Sequence, residues 1–200
     1  MTNSIFVIMR IDHRITAITE TNPVTAADFR TYARAVNISG EDSLIERQLE
    51  ASVRWVEQYI NRSINENTFS AVIWDFDDDR DLDRGEIHYP LPFAPVKSIT
   101  SVTGQDLDGN DTALTVDEDY FLLEGGRLRI PSATSYSTYK IVYVAGMESV
   151  EVTPNIKEAI YKLTAELYEN RGISVTGTIV SNLKADINSL LSSERAKTWL

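Results

Sequence analysis

The feature that most constrains this chain is a change of period along it. Between Thr68 and Gly146, turn signals recur at Pro92, Pro95, Asp108-Gly109 and Gly125-Gly126. Short β-branched or aromatic runs lie between them: Phe69–Trp74, Val96–Thr103, Ala113–Val116, Tyr120–Leu123, Leu128–Ile130 and Tyr139–Ala145. Such runs are too short to carry a helical face, and they predict an antiparallel sheet built of hairpins. The clearest hairpin is Tyr120–Ile130, where paired glycines supply the positive φ angles of a tight turn. Ile141–Ala145 has no polar side and is expected to be buried on both faces.

On either side of this block the period is helical. Thr25 is placed to cap a helix over Ala26–Val36, with Asp28 in the first turn, where the helix dipole favours an acid. Ile38-Ser39-Gly40 breaks it, and a longer helix is expected from Asp42 to Asn61. There Ile45, Leu49, Val53, Val56 and Ile60 share one face, and Glu50 and Arg54, four apart, are expected to pair. Thr153-Pro154 is a start signal, Ile156, Ala159, Ile160, Leu163 and Leu167 form a stripe, and Asn170-Arg171-Gly172 is a stop. A last helix is expected over Leu183–Leu191, with a tail ending in Trp199 and Leu200. The fold class is therefore α+β: a small α-helical bundle from the N- and C-terminal segments, with an inserted antiparallel β-hairpin sheet. The expected boundaries are an N-terminal arm over 1–22, helices over 23–66, the β insertion over 67–147, C-terminal helices over 148–191 and a tail over 192–200.

Charge and composition exclude several functions. The chain of 200 residues carries 30 acidic and 19 basic side chains, a net charge of −11, which argues against a broad basic face for nucleic acid. The absence of cysteine removes disulfides, thiolate nucleophiles and Cys-based zinc sites. Ile5–Ile11 is apolar, but Arg10 and Asp12 interrupt it and no signal-peptide pattern follows. No apolar run approaches the ~20 residues that span a bilayer, so the chain reads as soluble.

Catalytic signals are sparse. The two histidines, His13 and His88, lack a second histidine at metal-ligand spacing, and both are read as structural or surface residues. There is no Gly-x-Ser-x-Gly elbow and no phosphate-binding loop. Seven acids and two arginines crowd Asp75–Glu86. Asp79, Asp81 and Asp83 alternate as in a calcium loop, but the glycine falls at Gly85 instead of position 84, and Pro90 stands where the bidentate acid belongs. The stretch is read as a solvated loop, and these three aspartates are the only metal candidates. Asp106–Asp111 is read as a hairpin turn. A carboxylate pair of a glycan hydrolase remains a rival reading. The aromatics that could line a sugar site (Trp55, Trp74, Tyr89, Phe93, Tyr120, Tyr136, Tyr139) are expected in the core.

The order of these features resembles the head–tail connector proteins of tailed bacteriophages, also called adaptor or head-completion proteins. The likeness rests on Pro23-Val24-Thr25 before a short helix, Glu41–Ile45 with Ala51–Val53 and Val56–Arg62, the Pro-rich Tyr89–Ile99, Asp106–Gly109, Tyr120, Val142–Gly146, Pro154–Ile160 and Leu167–Arg171. It spans Pro23 to Leu191; the acidic loop, the first 22 residues and Ile173–Ser181 depart from it. The resemblance implies a non-enzymatic virion component with no catalytic residue and no cofactor. It implies a ring, dodecameric in the virion, between the portal protein and a neck or tail-completion protein, assembled in the host cytoplasm. Genomic DNA would pass through the lumen without specific binding, and no membrane is involved. Leu190, Leu191, Trp199 and Leu200 are the residues chosen for partner contacts, because apolar side chains near a chain end dock somewhere. The alternative within the virion is a tail-completion or decorating protein.

Overall fold

The computed structural model describes residues 10–18, 23–34, 40–74, 82–83, 86–131, 136–148, 150–170 and 185–196. The fold is α+β, and the chain divides into two units, Met1–Thr19 with Glu66–Gly146 and Glu20–Asn65 with Met147–Leu200.

The first unit holds the strands β1 (Arg10–Ile18), β2 (Asn67–Trp74), β3 (Leu82–Asp83), β4 (Glu86–Pro90), β5 (Val96–Gln105), β6 (Asp111–Ala113), β7 (Phe121–Leu123), β8 (Arg127–Ile130) and β9 (Thr138–Ala145). They form a five-stranded sheet, β1-β2-β9-β5-β6, and a four-stranded sheet, β3-β4-β8-β7, with every pair of strands antiparallel. Strand burial alternates along β2 and β9, as a half-covered antiparallel sheet requires. The inward side chains Phe69, Ile73, Tyr139, Ile141 and Tyr143 of the first sheet share one core with Ile87, Leu128 and Ile130 of the second. Each such side chain contributes roughly 1.5–3 kcal/mol on burial. Phe69 stacks on Phe93 and on Tyr143 at centroid distances of 5.1 and 5.4 Å, and the Tyr143 hydroxyl donates to the Pro92 carbonyl at 3.0 Å. The Gly125-Gly126 hairpin forms as expected, joining β7 to β8 with both glycines at positive φ (77° and 74°).

Two sequence readings are corrected here. Residues 1–22 were expected as an arm, yet Arg10–Ile18 is a full strand of the larger sheet, paired along its length with β2. β9 is not buried on both faces: Ile141, Tyr143 and Ala145 are buried, while Val142 and Val144 on the other face are only half-covered. Flanking strands hide the edges of β9, and its outer face keeps partial access to solvent.

The second unit holds α1 (Ala26–Tyr32), α2 (Asp42–Ile60), α3 (Pro154–Glu169) and α4 (185–191). Thr25 and Asp28 form a reciprocal capping box, with the Asp28 amide donating to Thr25 Oγ1 at 3.1 Å and the Thr25 amide to Asp28 Oδ2 at 3.0 Å. α1 ends four residues before the expected Val36, since Arg34 turns left-handed at φ 54°. Arg30 pairs with Asp42, tying α1 to α2. The expected α2 face (Ile45, Leu49, Val53, Val56, Ile60) is buried against Phe29, Ile156, Ala159, Ile160, Ile187 and Leu191. Buried Ser52 and Thr164 meet at 3.0 Å between α2 and α3. Leu167, expected in the α3 stripe, is 41% exposed. Arg54 pairs with Glu57 at 3.0 Å, three residues on, instead of with the expected Glu50.

Candidate interaction surface

The residues singled out from sequence fall in separate parts of the described structure or outside it. Asp79 and Asp81 lie outside the described residues. Asp83 stands in β3, in register with Glu86 of β4. Among the described residues, no group of three or more His, Cys, Asp or Glu side chains is placed to hold a metal ion. Asp106–Asp111 is the hairpin turn between β5 and β6. The Asp106 carboxylate is consumed within it, accepting from the Asp108 and Asn110 amides at 3.0 and 2.8 Å and from Asn110 Nδ2 at 3.0 Å. These bonds hold Asp106 below the usual carboxylate range, the Asn110 side chain contributing most.

Of the residues chosen for partner contacts, Trp199 and Leu200 lie outside the described residues, and Leu190 is half-buried. Leu191 is fully buried in the helical core, so its apolar side chain is spent on its own unit. His13 stands in β1 opposite Ala71. The aromatics pack as expected where they are buried: Tyr89, Tyr120 and Tyr139 lie in the sheet core, with Phe93 and Tyr136 against it. Burial raises Tyr89 to about 12 and lifts Tyr139 and Tyr143 as well, so all three stay protonated at neutral pH.

Three surface groupings emerge that the sequence did not mark. On the smaller sheet, Arg129 forks onto Glu86 with bonds of 2.9 and 2.8 Å, while His88 Nε2 lies 3.0 Å from Glu86 Oε2. The Arg129 bonds first, then the His88 bond, pull Glu86 down to about 2. The strand alternation Glu86-x-His88 places both on one face, the signal that could have revealed them. On the helical unit, Trp55 stacks on Tyr59 at 5.4 Å, and the Arg195 guanidinium covers Tyr59 at 5.9 Å. Both aromatic rings are half-buried, an arrangement common at protein interfaces. At the β6 margin of the sheet unit there is a cavity of about 170 Å3, with buried Tyr139 and Ile130 in its wall and exposed Glu118 and Asp119 beside them.

This fold recurs in gene transfer agent particles. Across 94% of this chain and 97% of the other, the structure matches a chain in the virion of a native gene transfer agent particle, with TM-score 0.69 and 18% identity. A chain from the neck of the empty particle, computed with C6 symmetry, matches at TM-score 0.64 and 18% identity over 96% of this chain and 98% of that one. One from the neck of the native particle, computed with C12 symmetry, matches at 0.63 and 18% over 92% and 96%. No curated protein sequence matches the chain. A family model, described as head completion protein, matches residues 24–180. Fold and family together define a structural virion protein of the head–tail connector class. The chain belongs to the head completion protein family. Among its described residues, no helix is long and apolar enough to cross a membrane.

Proposed function

We propose that the chain forms a ring between portal and neck or tail, twelve copies in the virion, extending the DNA channel and offering a docking surface for tail attachment. The observation that carries this reading is the family match over residues 24–180. The C6 and C12 symmetries of the neck structures it resembles are compatible with twelve copies. Charge supports the channel. Of the formal −11, the sheet unit holds 8 basic and 16 acidic residues, hence −8, and the helical unit 11 and 14, hence −3. A lumen lined by such a surface repels phosphate and lets DNA slide. The role needs no catalytic residue, and none is assigned. Electron microscopy of lysates from a phage deleted for this gene tests the reading: separate heads and free tails, joined again when the protein is supplied, are expected. Intact infectious particles from the deletion would refute it.

A further inference from the structure

Strand β1 is an edge strand of the larger sheet. We propose that its outer edge pairs antiparallel with the same edge of a second copy, about a two-fold axis at His13, so that free subunits associate as dimers through β1. The inference stands apart from the ring reading above, because a two-fold contact uses one patch twice and does not repeat around a ring.

Among the described residues β1 pairs with β2 alone, so one side of a nine-residue strand has no strand beyond it. Asp12, Arg14, Thr16 and Ala17 are exposed, and Ile15 is 40% exposed. Register sets Ile11 and Ile15 opposite Ile73 and Phe69, on the face where β2 is buried. Asp12 and Arg14 stand opposite Val72 and Ser70, on the other face. Ile15 thus carries the apolar side of the sheet outward from Phe69, which is 1% exposed, to an edge left open.

The charges of this edge complement themselves. In an antiparallel pair centred on His13, residue 12 of each copy stands opposite residue 14 of the other. Asp12 then meets Arg14 twice, with Cβ atoms ~4.5–5.5 Å apart, and both contacts lie on one face of the sheet. On the opposite face Ile15 stands against Ile11 of the second copy, so two apolar edges cover each other. Neighbouring two-fold registers are repulsive. Centring on residue 12 opposes Asp12 to Asp12 and Arg10 to Arg14, and centring on residue 14 opposes Arg14 to Arg14. Copies of net charge −11 repel in general, so their contact needs such local pairing. A second copy is the occupant that fits, because the Asp12-x-Arg14 pattern is met by its own image under the two-fold. The same pairing gives the open backbone groups of β1 a partner strand.

Sedimentation equilibrium of the purified chain is expected to show a dimer by about 100 μM. Asp12→Arg and Arg14→Asp each set like charges opposite one another twice, and each is expected to weaken dimerisation more than about tenfold. Mixed in equal amounts, the two variants restore opposite charges at both contacts, and a heterodimer within about threefold of wild-type affinity is expected. The chain has no cysteine, and opposed Cα atoms ~4.5–5.5 Å apart fall within disulfide range, so His13→Cys is expected to oxidise to a linked dimer. Wild type that stays monomeric at about 100 μM overturns the proposal. So does a dimer that neither charge variant weakens, or a mixture of the two that associates no better than either alone. If circular dichroism shows that either charge variant is unfolded, His13→Cys decides, and its failure to link on oxidation overturns the proposal. The phage-deletion experiment above tests the connector reading independently of these results.

Discussion

Glu57 is a carboxylate buried at the end of α2, 4% exposed, and its removal gives the sharpest test of what holds the helical unit together. Its Oε1 accepts from the amides of Ile64 and Asn65 at 2.8 and 3.2 Å, and its Oε2 from Arg54 at 3.0 Å. Those two amides belong to the segment that leaves the helix after Asn61 turns left-handed at φ 53°, where no helical partner remains for them. Ile64 and Asn65 are themselves buried, so water does not easily replace the carboxylate. In Glu57→Ala each orphaned amide costs about 1–3 kcal/mol, and the half-exposed Arg54 pair adds only about 0.3–0.5 kcal/mol. The expected loss is about 3 kcal/mol, a fall in Tm of roughly 6–12 °C for a chain of this size. Glu57→Gln keeps an oxygen for the two amides but loses the ion pair and the charge that strengthens those two bonds, so about 1 kcal/mol is expected. Urea unfolding followed by far-ultraviolet circular dichroism measures both. If Glu57→Ala stays within about 0.5 kcal/mol of wild type, or if Glu57→Gln is as damaging as Glu57→Ala, the clasp does not work through these bonds.

Three further outcomes are expected. A methyl group at Gly104 would lie 2.5 Å from the Tyr136 ring, so Gly104→Ala should destabilise the sheet unit by about 1–3 kcal/mol and alter the near-ultraviolet tyrosine signal, read by circular dichroism. Thr25→Ala removes the cap of α1 and should cost about 0.5–2 kcal/mol in denaturant unfolding. Its effect is expected to shrink in acid: Asp28 is lowered from 3.8, chiefly by its Thr25 bond, so the box is intact above that value and is lost as pH falls through the depressed one. Carboxyl-detected NMR should show Glu86 titrating near 2, with its contribution to stability present above 4.5 and lost on acidification through 2, and Arg129→Ala should move the midpoint up toward 4.5.

What was legible in the sequence was local. Thr25 with Asp28, Thr153 with Pro154 and Gly125 with Gly126 each act within a few residues, and each forms the predicted cap or turn. The α2 face was legible because burial against α3 uses a regular period. β1 was not, since Arg10-Ile11-Asp12-His13-Arg14-Ile15 mixes charge with apolar residues, and its partner β2 lies about fifty residues on. Arg54 chose Glu57 over Glu50 because Glu57 is already held by the Ile64 and Asn65 amides, a tertiary fact invisible to helical spacing. The β6-margin cavity draws on three segments, Thr112–Asp119, Ile130–Pro131 and Tyr136–Tyr139, and no single stretch announces it.

The interleaving of the two units has a consequence during synthesis. Ile18 finds its register only with Asn67, and β2 in turn waits for β9, completed at Ala145. At ~5–20 residues per second, β1 leaves the ribosome several seconds before its first partner, and the larger sheet closes only after several seconds more. α2 likewise emerges long before Pro154–Glu169 arrives to cover its apolar face. Both cores therefore stay incomplete until β9 and α3 have been made, and a nascent chain stalled before residue 138 would display β2 with its β9 edge unpaired, together with a bare helix face. In the ring proposed above, that timing holds contacts between copies back until Pro154–Glu169 has been made.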